Sequence, residues 1–371
     1  MKNTVVQHPS HKSLKLLSCL VLPAWNGSLV SNAAKADLKQ ELLNLSHAEF
    51  NDLVELANSN HVIVRGLETF LDLVSEQDDP VRTEWAVSAL QAEKARIETA
   101  VGFLHEVCVT LEQNGCKPAV IKSLDHWPDL GSDLDLFTDA RPEDLIKHMQ
   151  GSFDAKLAPR SWGDRLACKW NFIVPGVPEL IEVHVGRLGQ TGEQVAIANA
   201  LLDRARWIMV GGRPFRTASV SDRLMISTLQ RMYRHFYFRL CDIVDSTALA
   251  DAGNIDYQHL RASASIAGIW EGVATYLAIV SDYAECYRGR GINLPDFVRR
   301  SARFGGEQVY YSKSFLRVPI MPQSARLYGS QLAGIIGRGE IHNGARLSLL
   351  PWLATAAVVG QKLTGSDKGI W

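Results

Sequence analysis

Two aspartates, Asp133 and Asp135, stand two residues apart in the stretch AVIKSLDHWPDLGSDLDLF, positions 119 to 137. They alternate with Leu134, Leu136 and Phe137, and that period of two puts both carboxylates on one face of a short strand. Aspartate is depleted in strands and neighbouring like charges repel, so the pair asks for a compensating cation such as Mg2+. A third acid stands in LIEVHV, residues 180 to 185, where Glu182 and His184 share one strand face and Ile181, Val183 and Val185 occupy the other. If that strand lies beside the first, Asp133, Asp135 and Glu182 become a catalytic, metal-binding triad. Such a triad can hold two divalent ions about 3.5–4 Å apart, the clamp used for in-line phosphoryl or nucleotidyl transfer. The plainer alternative is a solvated sheet face carrying incidental acids and a lone histidine.

Cations and hydroxyls lie near these acids in the chain. Lys122 follows a short apolar strand, with Ser123 next to it and Gly131 and Ser132 just ahead of the acids. Together Lys122, Ser123 and Ser132 could bind a triphosphate by charge and by hydroxyl or backbone donors, and the alternative for Lys122 is a solvated surface lysine. Further on, Arg231, His235 and Arg239 recur at i, i+4 and i+8 of a helix expected to run through DRLMISTLQRMYRHFYFRLCDIV from a cap at Ser221. His235 and Arg239 on that face could meet the polyphosphate or an acceptor. A solvated face, with Asp242 pairing Arg239 at i, i+3, is the alternative.

The elements that must position these groups follow from periodicity. Residues 35 to 74 read as helical, with Ser46 and Glu49 at capping-box spacing. Pro80 breaks the pattern, a long helix runs from Trp85 to Gln113, and Asn114 and Gly115 end it. A strand at 117 to 121, the Asp-bearing strand, a helix at 141 to 150 opening on Pro142, and strands at 167 to 174 and 179 to 186 come next. The last two, joined by Pro-Gly-Val-Pro, suit an antiparallel hairpin. Beyond Gly186 the chain reads as mostly helical, with further helices around 256 to 288 and 324 to 363. The expected fold class is α+β. A small mixed sheet with flanking helices, over residues 115 to 220, lies between a helical region at 1 to 114 and another at 221 to 371.

Composition narrows the function. With 371 residues, 46% hydrophobic and 21% charged, the chain is long enough for two or more packed units. A net charge of −1 gives no global pull toward long nucleic acid or anionic membrane. The six cysteines include no CxxC pair and read as reduced, mostly buried small hydrophobes. The apolar run from Leu16 to Pro23 could mimic a weak signal sequence, but Lys15, Ser18 and Pro23 favour a short helix of the folded domain and a cytoplasmic setting. A second run, Leu347 to Val359, carries Pro351 and falls short of the roughly 20 residues that span a bilayer, so it reads as a core helix and no integral membrane segment is expected. No GxSxG, GxxxxGKS, GxGxxG or HExxH occurs.

The order of a small loop, an Asp-x-Asp strand about ten residues later and a third carboxylate on a following strand resembles the polymerase-beta-type nucleotidyltransferase superfamily. More narrowly, AEFNDLVELANSNHV, the Lys-Ser of VIKS, SDLDLF, IEVHV and HFYFRLCDIVD resemble the uncharacterised bacterial nucleotidyltransferase-like family, over roughly residues 35 to 280. The resemblance implies that Asp133 and Asp135 bind Mg2+ with Glu182 as third ligand, and that Lys122 and Ser123 sit in the loop holding the nucleotide phosphates. It implies transfer of a nucleoside monophosphate from an NTP to an acceptor hydroxyl or phosphate, with pyrophosphate released. Many members carry Gly where this chain has Ser123, and Arg shortly before the Asp-x-Asp strand where it reads Pro128, Asp129, Leu130 and Gly131. These departures favour the alternative, a catalytically degenerate nucleotide-binding or regulatory protein of the same fold. A helical scaffold with incidental acids is a third possibility.

Overall fold

The computed structural model describes residues 12–22, 32–312, 314–353 and 355–356. The first apolar run forms helix α1 (Lys12–Val21), whose Leu14, Leu16, Leu17 and Leu20 are buried. Ser18 inside it donates to the Leu14 carbonyl and bonds the Tyr283 hydroxyl at 2.7 Å, so this segment packs as part of the core, as expected. Pro23 lies outside the described residues. Helices α2 (Asn32–Leu43), α3 (His47–Ser59) and α4 (Ile63–Ser75) follow. The Ser46–Glu49 capping box is formed: the Glu49 amide donates to the Ser46 hydroxyl, and the Ser46 amide to the Glu49 carboxylate. Helix α5 (Pro80–Gln113) starts five residues earlier than its apolar stripe suggests. Pro80 is its first residue rather than a break, because Asp79 accepts the Arg82 amide at 3.0 Å and caps it.

Seven strands make the main sheet: β1 (Ala119–Val120), β2 (Asp133–Thr138), β3 (Lys156–Leu157), β4 (Lys169–Ile173), β5 (Leu180–Val185), β6 (Arg206–Val210) and β7 (Arg213–Thr217), in spatial order β3-β4-β5-β2-β1-β7-β6. Strands β2 and β5 run parallel, with Asp135 opposite Glu182 and Phe137 opposite His184. Between them come helix α6 (Pro142–Phe153), β3, helix α7 (Trp162–Ala167) and β4, the long crossover that parallel neighbours require. Strands β4 and β5 form the expected antiparallel hairpin, Asn171 facing Glu182 and Lys169 facing His184. Helix α8 (Val195–Arg204) leads to the β6–β7 hairpin, which the helical reading beyond Gly186 misses. Its turn is Gly211-Gly212, both at positive φ, the backbone a two-residue turn needs to match strand twist.

The expected helix from Ser221 is shorter and earlier. Helix α9 (Val220–Gln230) is capped by Ser219, whose hydroxyl accepts the Asp222 amide, and gives way to a π-turn at Arg231–His235. Phe236, at φ 53°, then reverses the chain into β8 (Tyr237–Phe238) before helix α10 (Leu240–Asp251) begins. Helices α11 (Tyr257–Ile266), α12 (Trp270–Arg288) and α13 (Asp296–Ser301) follow. Strands β9 (Tyr310–Ser312) and β10 (Phe315–Arg317) join β8 in a second sheet, ordered β8-β10-β9. Helices α14 (Ala325–Gly337) and α15 (Ile341–Ser348) come last, with Leu347 and Leu350 buried and Trp352 75% exposed. Residues 357 to 363 of the expected terminal helix lie outside the described residues.

The chain is therefore mixed α+β, as its sequence suggests. One apolar cluster runs from Leu14 to Leu327 and includes Phe70, Phe137, Phe172, Phe215 and Phe238, so helices and sheet share a core. Among the described residues no helix is long and apolar enough to cross a membrane.

Buried charge also shapes this core. Asp129 accepts the Val64 amide at 2.6 Å and lies 3.2 Å from the Arg65 guanidinium. Burial, against the pull of Arg65, pushes its carboxyl up to about 7. An unfolded aspartate titrates near 3.9, so the native state holds this proton more tightly. The associated stability is present below about pH 4 and is lost as pH rises through about 7. Melting curves across that range are expected to show wild type losing stability relative to Asp129→Asn; a constant difference between the two would contradict the assignment.

Candidate functional site

The period-two pattern of β2 and β5 puts Asp133, Asp135, Glu182 and His184 on one sheet face, and β4 adds Lys169. Asp133, Asp135, Glu182 and Lys169 open into a cavity of about 180 Å³. Its opposite wall is the Gln230–Arg239 segment, and its ends are the turn at His61 and the Lys122–Asp133 loop.

Lys122 is held in an unusual way. It stands at φ 63°, ψ −61°, with the Ser123 amide donating to the Ile121 carbonyl at 2.7 Å. This is the strained γ-turn, rare for a residue bearing a Cβ. The turn carries the lysine off the end of β1 and back over the sheet, where its ammonium pairs with Asp135 and lies 3.3 Å from Glu182. Lys169 pairs with Glu182 from the other side at 2.6 Å, and His184 Nε2 lies 2.9 Å from it. Ser123 is 2% exposed and its hydroxyl is fully engaged: it accepts the Asp135 amide at 2.7 Å and donates to the Asp133 carbonyl at 3.1 Å. It fixes the height of β2 against the loop rather than offering a free donor.

The two facing acids differ electrostatically. Burial, with Glu182 adding to it and Lys122 opposing, pushes the Asp135 carboxyl up to about 8. Burial acts to raise Glu182 too, but Lys122, Lys169 and His184 outweigh it and hold that carboxyl well below the usual range. At neutral pH the pair thus retains one proton, on Asp135. Burial lowers His184 to about 4 despite Glu182, leaving a neutral imidazole. Asp133, the exposed member, is raised by burial of its carboxyl and by Glu182.

One ligand atom each from Asp135, Glu182 and His184 lies within 4.8 Å of the others, a spacing that suits a single divalent ion. Asp133 lines the same cavity but is not part of that group. The strand pairing therefore brings Asp135 and Glu182 together as expected, and His184, which the sequence leaves as either a supporting group or a plain sheet residue, takes the third corner.

The cationic wall departs further from expectation. Arg231, His235 and Arg239 do not form one helix face, because the π-turn and the reversal at Phe236 separate them; they converge on the cavity from a concave segment instead. Asp242 pairs with Arg231 at 2.7 Å and accepts the Arg239 amide at 2.7 Å, rather than pairing with the Arg239 side chain. Arg239 Nε is buried with no hydrogen-bond partner among the described residues. Burial, with Arg234, Arg231 and Arg239 nearby, holds His235 well below its ordinary value. Ser132 is exposed at the rim.

Sequence reasoning misses His61, His126, Lys169 and Arg234. Lys169 alone carried a signal, as a lysine at the head of an apolar strand paired with the one bearing Glu182. Counted by side chain, Lys122, Lys169, Arg231, Arg234 and Arg239 face Asp133, Asp135 and Glu182, so the cavity holds more positive than negative charge and suits a polyanion brought in against acids that can hold a metal. Compared with protein-family models, curated proteins and solved structures, the chain matches none of them.

Proposed function

We propose that this protein is a Mg2+-dependent nucleotidyltransferase that moves a nucleoside monophosphate from an NTP to an acceptor and releases pyrophosphate. The observation that carries the reading is Asp135 facing Glu182 on adjacent parallel strands, at the floor of a cavity walled by arginines and lysines. Asp135 and Glu182, with His184, fit a divalent ion: two carboxylates suit Mg2+, and the imidazole nitrogen makes the set acceptable to Mn2+ as well. When bound, such an ion supplies charge stabilisation at phosphate and lowers the pKa of an acceptor hydroxyl. Asp133, exposed on the same face, offers a further carboxylate. Arg234, Arg239 and Lys169 supply positive charge for a triphosphate, and Ser123 sets the backbone that aims Asp135. His235, kept neutral, presents a hydrogen-bonding group without adding charge.

Incubation with α-labelled NTPs, Mg2+ or Mn2+ and a metabolite extract tests this. Label is expected to appear on an acceptor, and to disappear with Asp133→Ala plus Asp135→Ala. A second reading, a degenerate nucleotide-binding or regulatory protein, is favoured by one feature: the Lys122 ammonium already occupies the space between the two acids and offsets the charge of Glu182. NTP binding without turnover, unaffected by Mg2+, would support that reading over transfer.

A further inference from the structure

We propose that His61, His126 and Cys241 form a separate metal site that takes a zinc-class transition-metal ion, with one coordination position open to the cavity. The three come from different elements. His61 ends the turn between α3 and α4, His126 closes the 3-10 turn Ser123–His126, and Cys241 sits in the first turn of α10. One ligand atom from each lies within 4.8 Å of the others, and His126 Nε2 is 3.8 Å from Cys241 Sγ. A tetrahedral zinc ion, bound at about 2.3 Å to sulfur and about 2.0–2.1 Å to nitrogen, separates an S and an N ligand by about 3.6 Å and two N ligands by about 3.4 Å. The Cys–His pair is thus nearly at ligating distance, and the other pairs need to close by about 1.4 Å at most.

Surrounding groups prepare the ligands. His126 Nδ1 lies 2.6 Å from Asp245, which engages that nitrogen and leaves Nε2, 3.8 Å from Cys241 Sγ, as the ring atom that can ligate once a metal displaces its proton. This is the carboxylate–histidine pairing that orients metal-bound imidazoles, and Arg65 fixes Asp245 at 2.7 Å. His61 Nδ1 is buried with no hydrogen-bond partner among the described residues, and a buried polar atom left so calls for one. A thiolate and Asp245 balance a dication. One soft and two borderline ligands favour zinc-class ions over Mg2+. Both histidines line the cavity while Cys241 is fully buried behind them, so the fourth position faces inward, as in catalytic rather than structural zinc sites. None of Asp133, Asp135 or Glu182 takes part.

The test is Co2+ titration of chelator-stripped full-length protein, read by absorbance. The expected result is one equivalent bound with a thiolate-to-cobalt charge-transfer band and the d–d bands of a tetrahedral ion, all displaced by Zn2+. Cys241→Ser, nearly isosteric, is expected to abolish the charge-transfer band with an unchanged circular dichroism spectrum. Asp245→Asn is expected to keep the band while weakening affinity about 10–100-fold, which holds the test open should the serine variant misfold. The variant pair Asp135→Asn and Glu182→Gln should bind Co2+ here as wild type does. No stoichiometric uptake, a band that survives Cys241→Ser, or affinity untouched by Asp245→Asn overturns the assignment.

Discussion

Asp135→Asn is expected to lower Mg2+-dependent nucleotide transfer by about 10²–10³-fold, the cost of removing one preorganised charge-stabilising group, while leaving the melting temperature nearly unchanged. The separation of the two effects follows from the resting protonation state. Asp135 carries a proton at neutral pH because burial and Glu182 push it to about 8, so a neutral amide of the same shape mimics what the folded chain already holds. A divalent ion needs the carboxylate that the amide cannot supply. Glu182→Gln is expected to behave differently. Glu182 is ionised and stands between Lys122 and Lys169, both largely buried, so losing its charge leaves two ammonium groups poorly paired and lowers stability together with activity. Measuring kcat and thermal unfolding for both variants decides the matter. Full activity in Asp135→Asn would remove the carboxylate from the proposed chemistry, and equal destabilisation in the two variants would refute the assigned proton.

Asp242→Ala is expected to cost about 3–5 kcal/mol of stability, the range for breaking a buried ion pair from one side. Arg231 and Asp242 are 4% and 2% exposed in their side chains, so water replaces the lost partner poorly. The same carboxylate accepts the Arg239 amide at the start of α10, so the lesion also loosens the turn that carries Arg239 into the cavity. Urea unfolding measures the cost. Replacing both partners by apolar residues, Arg231→Met with Asp242→Leu, is expected to recover most of it, because no charge is then stranded. A cost below about 1 kcal/mol for the single variant would mean that solvent or a neighbour satisfies Arg231.

How much of this could be read from the chain depended on whether the determining contacts were local. The Ser46–Glu49 box, the shared face of Asp133 and Asp135, and the shared face of Glu182 and His184 all rest on residues two or three apart, and each is formed. The β6–β7 hairpin was also legible in its Gly-Gly turn, but Pro214 and two short strands obscured it. The small sheet was not legible, because β8 finds its partner β10 more than seventy residues later. The break after Gln230 runs against a continuous helical pattern. It is imposed by tertiary partners, chiefly the Arg231–Asp242 pair and the ladder to β10, which propensity cannot register. His61 and Arg234 reach the cavity through such distant packing, and nothing near them in sequence announces it.

Because the γ-turn fastens an ammonium against Asp135 and Glu182, any cation that the proposed function brings into the pocket meets a built-in competitor. A tethered charge acts at an effective concentration that dissolved sodium or potassium cannot approach, so monovalent ions have little to gain by entering. Only a species with twice the charge and a firm hold on oxygen can repay the eviction. Under the proposed function the strained loop would thereby act as a threshold, its lysine giving way only to an ion that binds both acids more firmly.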